Sequence, residues 1–220
     1  MREAGERTWT RRAFLEKAML AAPVIAATPA TALAGRPAAT RRVPTDFAFL
    51  SRLIHYRPRA AWAPEPPLLR RLNRADPYYR VTVHHQGSAI YHHRSELDAA
   101  IAIQNVQQGH MNRRFGDIGY HLVIDTMGRA WEARSLRFTG AHVARHNSGN
   151  IGIMLLGNFE EQRPTRQQLE CLNIVVQGVV QAFAMKPDQV YGHIDLGQTL
   201  CPGVHLYRYV EHLRNLRRPG

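Results

Sequence analysis

The chain contains an almost continuous apolar run, Asn-Ile-Gly-Ile-Met-Leu-Leu at residues 150–156. Such a run is typical of a β-strand that is buried on both faces of a sheet. A second β-rich segment, residues 80–85, is bounded by Gly87 and Ser88 and predicts another strand. Two strands of this kind indicate a sheet that is covered by other elements on both sides.

Helical segments and further strands alternate around these two strands. Ser-Glu-Leu-Asp at residues 95–98 resembles a capping box and predicts a helix to about residue 110. We expect its apolar positions to face the sheet, and these are Leu97, Ile101, Ile103 and Val106. The later segments are a hairpin (120–133), a capped long helix (164–183), a short strand (189–192) and a final helix (204–216). The pattern predicts an α/β fold, a single domain with a central mixed β-sheet flanked by α-helices.

The first 34 residues have the features of an export signal. Thr-Arg-Arg-Ala-Phe-Leu-Glu-Lys at residues 10–17 resembles a twin-arginine signal, and an apolar run at 18–27 is too short to span a membrane. Ala-Leu-Ala at residues 32–34 offers a signal-peptidase site. We therefore expect residues 1–34 to be a twin-arginine signal peptide. The mature chain would reach the periplasm or the extracellular space, without stable insertion in the membrane.

Composition divides the rest of the chain into three segments. Residues 35–45 are rich in Pro, Ala, Thr and Arg and are expected to be a linker. Residues 46–79 contain several prolines and predict an irregular extension that packs on the domain, anchored by Trp62. Residues 80–220 are the predicted domain itself. A chain of 220 residues is long enough for one full hydrophobic core.

The net charge of +12 is carried almost wholly by arginine. A basic surface suits any anionic polymer, a bacterial envelope included. No nucleic-acid recognition motif, aromatic stacking platform or dense basic helix accompanies the charge, so we expect no nucleic-acid partner. Nothing in the pattern indicates an oligomeric state.

Three residues in separate segments form a candidate metal site: His84, His193 and Cys201. Two imidazoles and a thiolate can hold zinc and leave its fourth tetrahedral position open to water. Zinc in such a site lowers the pKa of bound water and polarises a carbonyl, which is hydrolytic chemistry. Taken singly, each of these three residues would more often have a structural role. A Cys171–Cys201 disulfide would remove the thiolate that the metal site needs. The default for Cys171, in an apolar helical stretch, is a buried free thiol.

A series of short motifs runs in a fixed order through residues 56–214. Among them are Val-His-His (83–85), Asp-Ile-Gly-Tyr-His (117–121), Gly-Ala-His (140–142) and Cys-Pro-Gly (201–203). The others lie at residues 59–62, 104–111, 125–132, 147–148, 151–153, 157–159 and 192–193. In this order the motifs resemble the family of peptidoglycan recognition proteins and type-2 N-acetylmuramoyl-L-alanine amidases.

The resemblance implies a sheet flanked by helices, with an open zinc-bearing cleft. It places the zinc ligands at His84, His193 and Cys201 and implies that His85 is not a ligand. Neighbouring residues on a strand point to opposite faces, which agrees with that assignment. Asp195 is the other alternative as a fourth ligand, but its position does not match the family's ligands.

The resemblance also implies the reaction, which is hydrolysis of the amide between N-acetylmuramic acid and the L-alanine of the peptidoglycan stem peptide. Tyr120 would hydrogen-bond the zinc-bound water and stabilise the tetrahedral intermediate. Thr199 would donate to the oxyanion, with a smaller effect than a lysine would have. No carboxylate in the motifs is an obvious proton donor to the leaving amine. Glu160 and Glu161 are candidates, although a solvated loop position is the expected role of both.

A non-catalytic recognition protein that binds peptidoglycan is the alternative function. Several members of the family bind without cutting, and these commonly lack the ligand cysteine. The presence of Cys201 therefore favours the enzyme.

Four further residues are candidates for binding the substrate: His142, Arg114, Phe115 and Asn147. An arginine beside the cleft could pair with a stem-peptide carboxylate, because the guanidinium group matches carboxylate geometry. Many members carry Gly-Trp shortly before Asp-Ile-Gly-Tyr, but this chain has Arg-Arg-Phe-Gly at residues 113–116. The cysteine pair that animal members typically carry after His-His is absent, which points to a bacterial form.

Overall fold

The structure is a computed structural model that describes residues 44–215, apart from residues 89, 91, 93 and 94. The described residues belong to one compact unit, Arg42–Gly220. The predicted signal peptide (1–34) and most of the predicted linker (35–43) lie outside the described residues.

The described residues form a six-stranded mixed sheet with helices on both faces. The strands are β1 (Tyr56–Arg57), β2 (Arg80–His85), β3 (Leu122–Ile124), β4 (Ala130–Glu132), β5 (Asn150–Leu155) and β6 (Val190–Gly192). The α-helices are α1 (Glu96–Asn112), α2 (Arg166–Ala182) and α3 (Val204–Arg214). The strand order is β1-β4-β3-β5-β2-β6, and among these pairs only β3–β4 is antiparallel. The predicted α/β class is confirmed.

The two strands predicted from the apolar runs lie side by side at the centre of the sheet. Strand β2 pairs in parallel with β5 over its whole length, and with β6 on its other edge. Every residue of β5 is buried. Since successive side chains alternate between faces, β2 sends Val81, Val83 and His85 to one side and Thr82 and His84 to the other.

Each face of the sheet has its own apolar cluster. The cluster that holds Val81 and Val83 also contains Val175 of α2 and Leu206 of α3. The opposite cluster contains Ile103 of α1. Burial of side chains of this size contributes about 1.5–3 kcal/mol each, so the two clusters fix the helices on the sheet.

The helix starts agree with the capping signals. The Ser95 hydroxyl accepts a hydrogen bond from the Asp98 N–H at 3.0 Å, before α1. The Thr165 hydroxyl accepts from the Gln168 N–H, and the Gln168 side chain accepts from the Thr165 N–H, each at 3.1 Å. This is a complete capping box for α2.

The predicted sheet-facing side of α1 is wrong in part. Leu97 and Ile101 are exposed, at 70% and 45%, whereas Ile103 is buried. Alanines at positions 99, 100 and 102 are buried with Ile103 in the second cluster. Small side chains let the helix approach the sheet closely, so the larger apolar residues are left toward solvent.

The segment before β2 belongs to the same unit. Phe47 and Leu50 are buried in the first cluster, and strand β1 pairs with β4. The Trp62 side chain is 2% exposed, and its indole N–H donates to the Glu132 carbonyl at 2.6 Å. In the part of the chain that the structure describes, no helix has both the length and the apolar character needed to cross a bilayer.

Candidate metal centre and adjoining cleft

The topology brings the three candidate ligands to one end of the sheet. His84 lies near the carboxyl end of β2, and His193 directly follows β6, which is paired with β2. Cys201 lies in the loop before α3. Clefts at the carboxyl ends of parallel strands are the usual place for sites in open α/β sheets.

The three donor groups fit a zinc ion. Their candidate ligand atoms all lie within 4.8 Å of one another, and the His84 Nδ1 to Cys201 Sγ distance is 3.6 Å. Tetrahedral zinc with ordinary Zn–N and Zn–S bonds separates such atoms by roughly 3.6 Å. His84 is buried, while His193 and Cys201 are only half-buried, so the cluster is open on one side.

Both imidazoles are held in the neutral form that binds metals. Burial lowers the pKa of His84 well below its ordinary value, and the neighbouring histidines 142 and 193 lower it further. Burial also lowers the pKa of His193. Neither ring has to lose a proton at neutral pH before it can act as a ligand.

The thiol of Cys201 is the ligand that must ionise. Burial raises its pKa to about 12, and the His85 backbone N–H, 3.4 Å from Sγ, opposes this shift. The Cys201 N–H donates to the Thr199 hydroxyl oxygen at 3.1 Å. That bond uses an acceptor site of Thr199, so its hydroxyl proton can be directed into the site.

Tyr120 lies beside His84, with 5.0 Å between the ring centroids. Burial raises the pKa of the phenol above its ordinary value, and the proximity of Cys201 adds to the effect. Tyr120 therefore stays protonated at neutral pH and is a hydrogen-bond donor to any oxygen that develops negative charge.

A cleft of about 570 Å³ adjoins Tyr120. Its lining combines the end of β2, the neighbouring strand β5 and one face of α1. The lining residues are Gln86, Ser88, Asn105, Val106, Gly109, His110, Arg113, Tyr120 and Met154. The residues from α1 were missed in the sequence, although positions 105, 109 and 113 repeat every fourth residue and so share a helix face.

Two residues predicted to bind the substrate make hydrogen bonds within the fold. His142 is 8% exposed, and its Nδ1 lies 3.0 Å from Nε2 of His84. The Asn147 side-chain oxygen accepts hydrogen bonds from the N–H groups of His142 and Val143, each at 2.8 Å. Both side chains are held by hydrogen bonds inside the fold, and their substrate roles stay predictions.

The other two predicted substrate contacts lie in the segment directly after α1. Arg114 is exposed and has a φ of 67°, and the Phe115 ring packs on His110 at a centroid distance of 5.2 Å. Neither residue lines the cleft, whereas Arg113 does. The substrate roles of Arg114 and Phe115 stay predictions.

The alternative ligands have other partners. The Asp195 carboxylate accepts from the Gly192 N–H at 2.8 Å and from the Tyr207 hydroxyl at 2.6 Å. The His85 Nδ1 accepts from the Phe159 N–H at 3.1 Å. His85 and Asp195 are therefore both occupied by contacts of their own.

The two candidate proton donors have partners in their own loop. Glu160 accepts from the Val204 N–H at the start of α3, and Glu161 accepts from the Asn158 side-chain amide, each at 2.9 Å. Both cysteines are free thiols, and Cys171 is buried in α2. The Cys171–Cys201 bridge is therefore absent.

The described residues thus form a mixed α/β domain that carries a His-His-Cys cluster beside Tyr120 and an open cleft. Residues 74–204 match the family model described as N-acetylmuramoyl-L-alanine amidase (Amidase_2). The chain belongs to this family.

Known relatives and structures agree with the family. A peptidoglycan-recognition protein of Drosophila melanogaster is 32% identical over 163 residues, which cover 73% of this chain and 87% of that protein. The crystal structure of Drosophila peptidoglycan recognition protein SD matches with a TM-score of 0.65 at 27% identity, over 72% of this chain and 94% of that one. The expectation of a bacterial form is not borne out, because the relatives are mostly insect proteins.

A further structure shows a ligand on a related protein. It is the ectodomain complex of peptidoglycan recognition proteins LCa and LCx with tracheal cytotoxin bound. This chain matches it with a TM-score of 0.64 at 29% identity, over 71% of its own length and 94% of that chain.

Proposed function

We propose that this protein is a zinc-dependent N-acetylmuramoyl-L-alanine amidase that cleaves the amide between N-acetylmuramic acid and L-alanine of the peptidoglycan stem peptide. The observation that carries the proposal is the convergence of His84, His193 and Cys201 beside Tyr120 and the cleft. Zinc, when bound, supplies a water of lowered pKa and polarises the scissile carbonyl.

The chain's own groups have complementary tasks in this reaction. The neutral rings of His84 and His193 and the ionised sulfur of Cys201 hold the metal. Tyr120, kept protonated by burial, donates a hydrogen bond to the carbonyl oxygen as it gains negative charge. The Thr199 hydroxyl donates to the same oxygen from the Cys201 loop, since its own oxygen is already fixed by the Cys201 N–H.

The cleft is the proposed site for the stem peptide or glycan next to the scissile bond. Arg113 supplies positive charge at one wall, and the chain as a whole has a net charge of +12. Both features suit an anionic wall polymer. The complex of the related LCa and LCx proteins with tracheal cytotoxin supports a ligand from the same class.

We extend the proposal to location. Residues 1–34 act as a twin-arginine signal, and the mature chain, from Gly35, works in the periplasm or outside the cell. The support for this step is the sequence of residues 10–34 alone.

Peptidoglycan binding without cleavage is the second candidate. It is favoured by the relatives, several of which are named recognition proteins. The two functions differ in whether the chain opens an amide bond.

The deciding experiment incubates the mature protein with purified peptidoglycan and measures new N-terminal alanine. It is run with zinc, with a chelator, and with Cys201→Ser, while Cys171→Ser is the matched control for a cysteine outside the site. Release that needs both zinc and Cys201 supports the amidase. Binding without release under any condition would instead establish the recognition function.

A further inference from the structure

A chain of two hydrogen bonds runs from the proposed metal ligand His84 into the fold. The His142 Nε2 lies 3.2 Å from the Asn150 backbone carbonyl, and the His142 Nδ1 lies 3.0 Å from the His84 Nε2. A carbonyl oxygen can only accept, so the His142 Nε2 must carry the proton. In a neutral ring the His142 Nδ1 is then an acceptor, and the His84 Nε2 must donate to it.

The consequence falls on the other nitrogen of His84. With its proton on Nε2, neutral His84 has a lone pair on Nδ1, and Nδ1 is the atom that lies 3.6 Å from the Cys201 sulfur. Metal ligation needs that lone pair. The tautomer is thus set by an oxygen that is two hydrogen bonds away from the metal position.

We propose that His142 is a positioning residue that holds His84 in its Nε2–H tautomer and so presents Nδ1 to zinc, an inference that rests on the zinc site of the proposed function. His142 touches neither metal nor substrate in this role. It acts through the ring of His84.

The surroundings of His142 are built around its ring. A Cβ atom added at Gly140 or Gly152 would lie 2.5 Å or 2.6 Å from the His142 Cδ2. The backbone at neither glycine has a positive φ, so their conformation does not require glycine. At Gly152 the three nearest atoms all belong to the His142 ring, and at Gly140 the His121 Cε1 is also within 2.8 Å, so these two rings require the space.

The backbone of His142 is fixed as well. Its N–H donates to the Asn147 side chain, so the loop that carries the ring is tied down four to five residues further on. The ring is buried, and each of its two nitrogens has a partner inside the fold. Asn147 and the two glycines therefore support the hydrogen-bond chain without contacting the metal ligands.

The first test reads the tautomer of His84 directly in the metal-free, full-length protein, by long-range ¹⁵N–¹H NMR of ¹⁵N-histidine-labelled chain. We expect a protonated Nε2 and an unprotonated Nδ1. A proton on Nδ1 in the wild-type protein would overturn the proposal, and this result needs no variant to fold.

The second test measures Zn²⁺ affinity by competition with a chromophoric chelator. His142→Phe keeps a ring between the glycines but removes the acceptor, and we expect about 10- to 100-fold weaker zinc binding and a mixed His84 tautomer. His142→Asn, which retains an acceptor near the position of Nδ1, should restore much of both. Unchanged affinity and an unchanged tautomer in His142→Phe would show that the proposal is wrong.

His121 provides the matched control. It is also buried and neutral, its Nε2 lies 3.1 Å from the Phe138 carbonyl, and its ring centroid is 5.9 Å from that of His142. His121→Phe should reduce stability yet leave the His84 tautomer as in the wild type. Neither test uses peptidoglycan, so a chain with the expected tautomer but no amidase activity would refute the proposed function alone.

Discussion

Zinc binding by this protein should release about one proton per metal ion near neutral pH, and that proton should come from Cys201. Burial raises the thiol pKa to about 12 in the metal-free protein. At pH 7 the thiolate is then present in on the order of one molecule in 10⁵. The pKa values of His84 and His193 are lowered, so neither imidazole holds a proton to release.

The sign of the pH dependence follows from these shifts. Zinc binds the thiolate, and raising the pH makes the thiolate more common. The apparent association constant should therefore rise about tenfold per pH unit between about pH 7 and pH 9. Protonated imidazoles would add to the slope only below the lowered histidine pKa values.

Isothermal titration calorimetry in buffers of different ionisation enthalpy counts the protons that are released. Cys201→Ser should abolish the slope, while Cys171→Ser should leave it intact, although burial raises the pKa of both thiols to about 12. A count near zero in the wild type would mean that the thiol is already ionised. That result would refute the reasoning. A second proton, released as the pH approaches the lowered pKa of the zinc-bound water, would come from that water and not from Cys201.

Four other outcomes are expected. Tyr120→Phe should lower kcat by about 100-fold or more and leave zinc affinity unchanged, because the substitution removes only a hydrogen-bond donor to the developing oxyanion. An unchanged kcat in steady-state hydrolysis would contradict this role. Gly152→Ala should destabilise the fold by about 1–3 kcal/mol in urea titrations, because the added methyl group crowds the His142 ring. Wild-type stability would contradict the close packing of His142 on Gly152. Arg59→Ala should lower the free energy of unfolding by about 3–5 kcal/mol, because the Asp117 side chain, which is 2% exposed, loses its ion pair. A change near zero would contradict the burial of this pair. The pKa of buried His121 is lowered to about 3, so stability should fall as the pH drops from about 6.5 towards 3, since only the unfolded chain takes up the proton readily. His121→Phe should flatten that dependence in acid titrations.

The central strands and the helix starts could be predicted because their signals are local. The apolar residues of β5 and the β-rich residues of β2 are enough to predict two buried strands. Ser95 and Thr165 mark helix starts by hydrogen bonds that span only three residues. Strand β1 has two residues, which is too short for any periodic pattern to show.

The features that were missed depend on distant parts of the chain. The role of His142 requires strand β2, strand β5 and the loop between β4 and β5 to meet, and no spacing in the sequence expresses that meeting. Arg113 lines the cleft and Arg114, which has a positive φ, does not, and the sequence carries no signal for that difference in backbone. The packing face of α1 was misjudged because alanines carry it, and hydrophobic periodicity gives them little weight.

The place of strand β2 has a consequence for how the chain reaches its native state. β2 is made before β5 and β6, yet it pairs with both of them. During synthesis its two edges stay open until segments about 70 and 110 residues further along the chain arrive, and such non-local parallel pairing is slow to form. A nascent chain that stops before β6 therefore displays an unpaired edge of an apolar strand, which invites association with other chains. The last two candidate ligands to be made, His193 and Cys201, follow β6, so the three candidate ligands come together only once the sheet is complete.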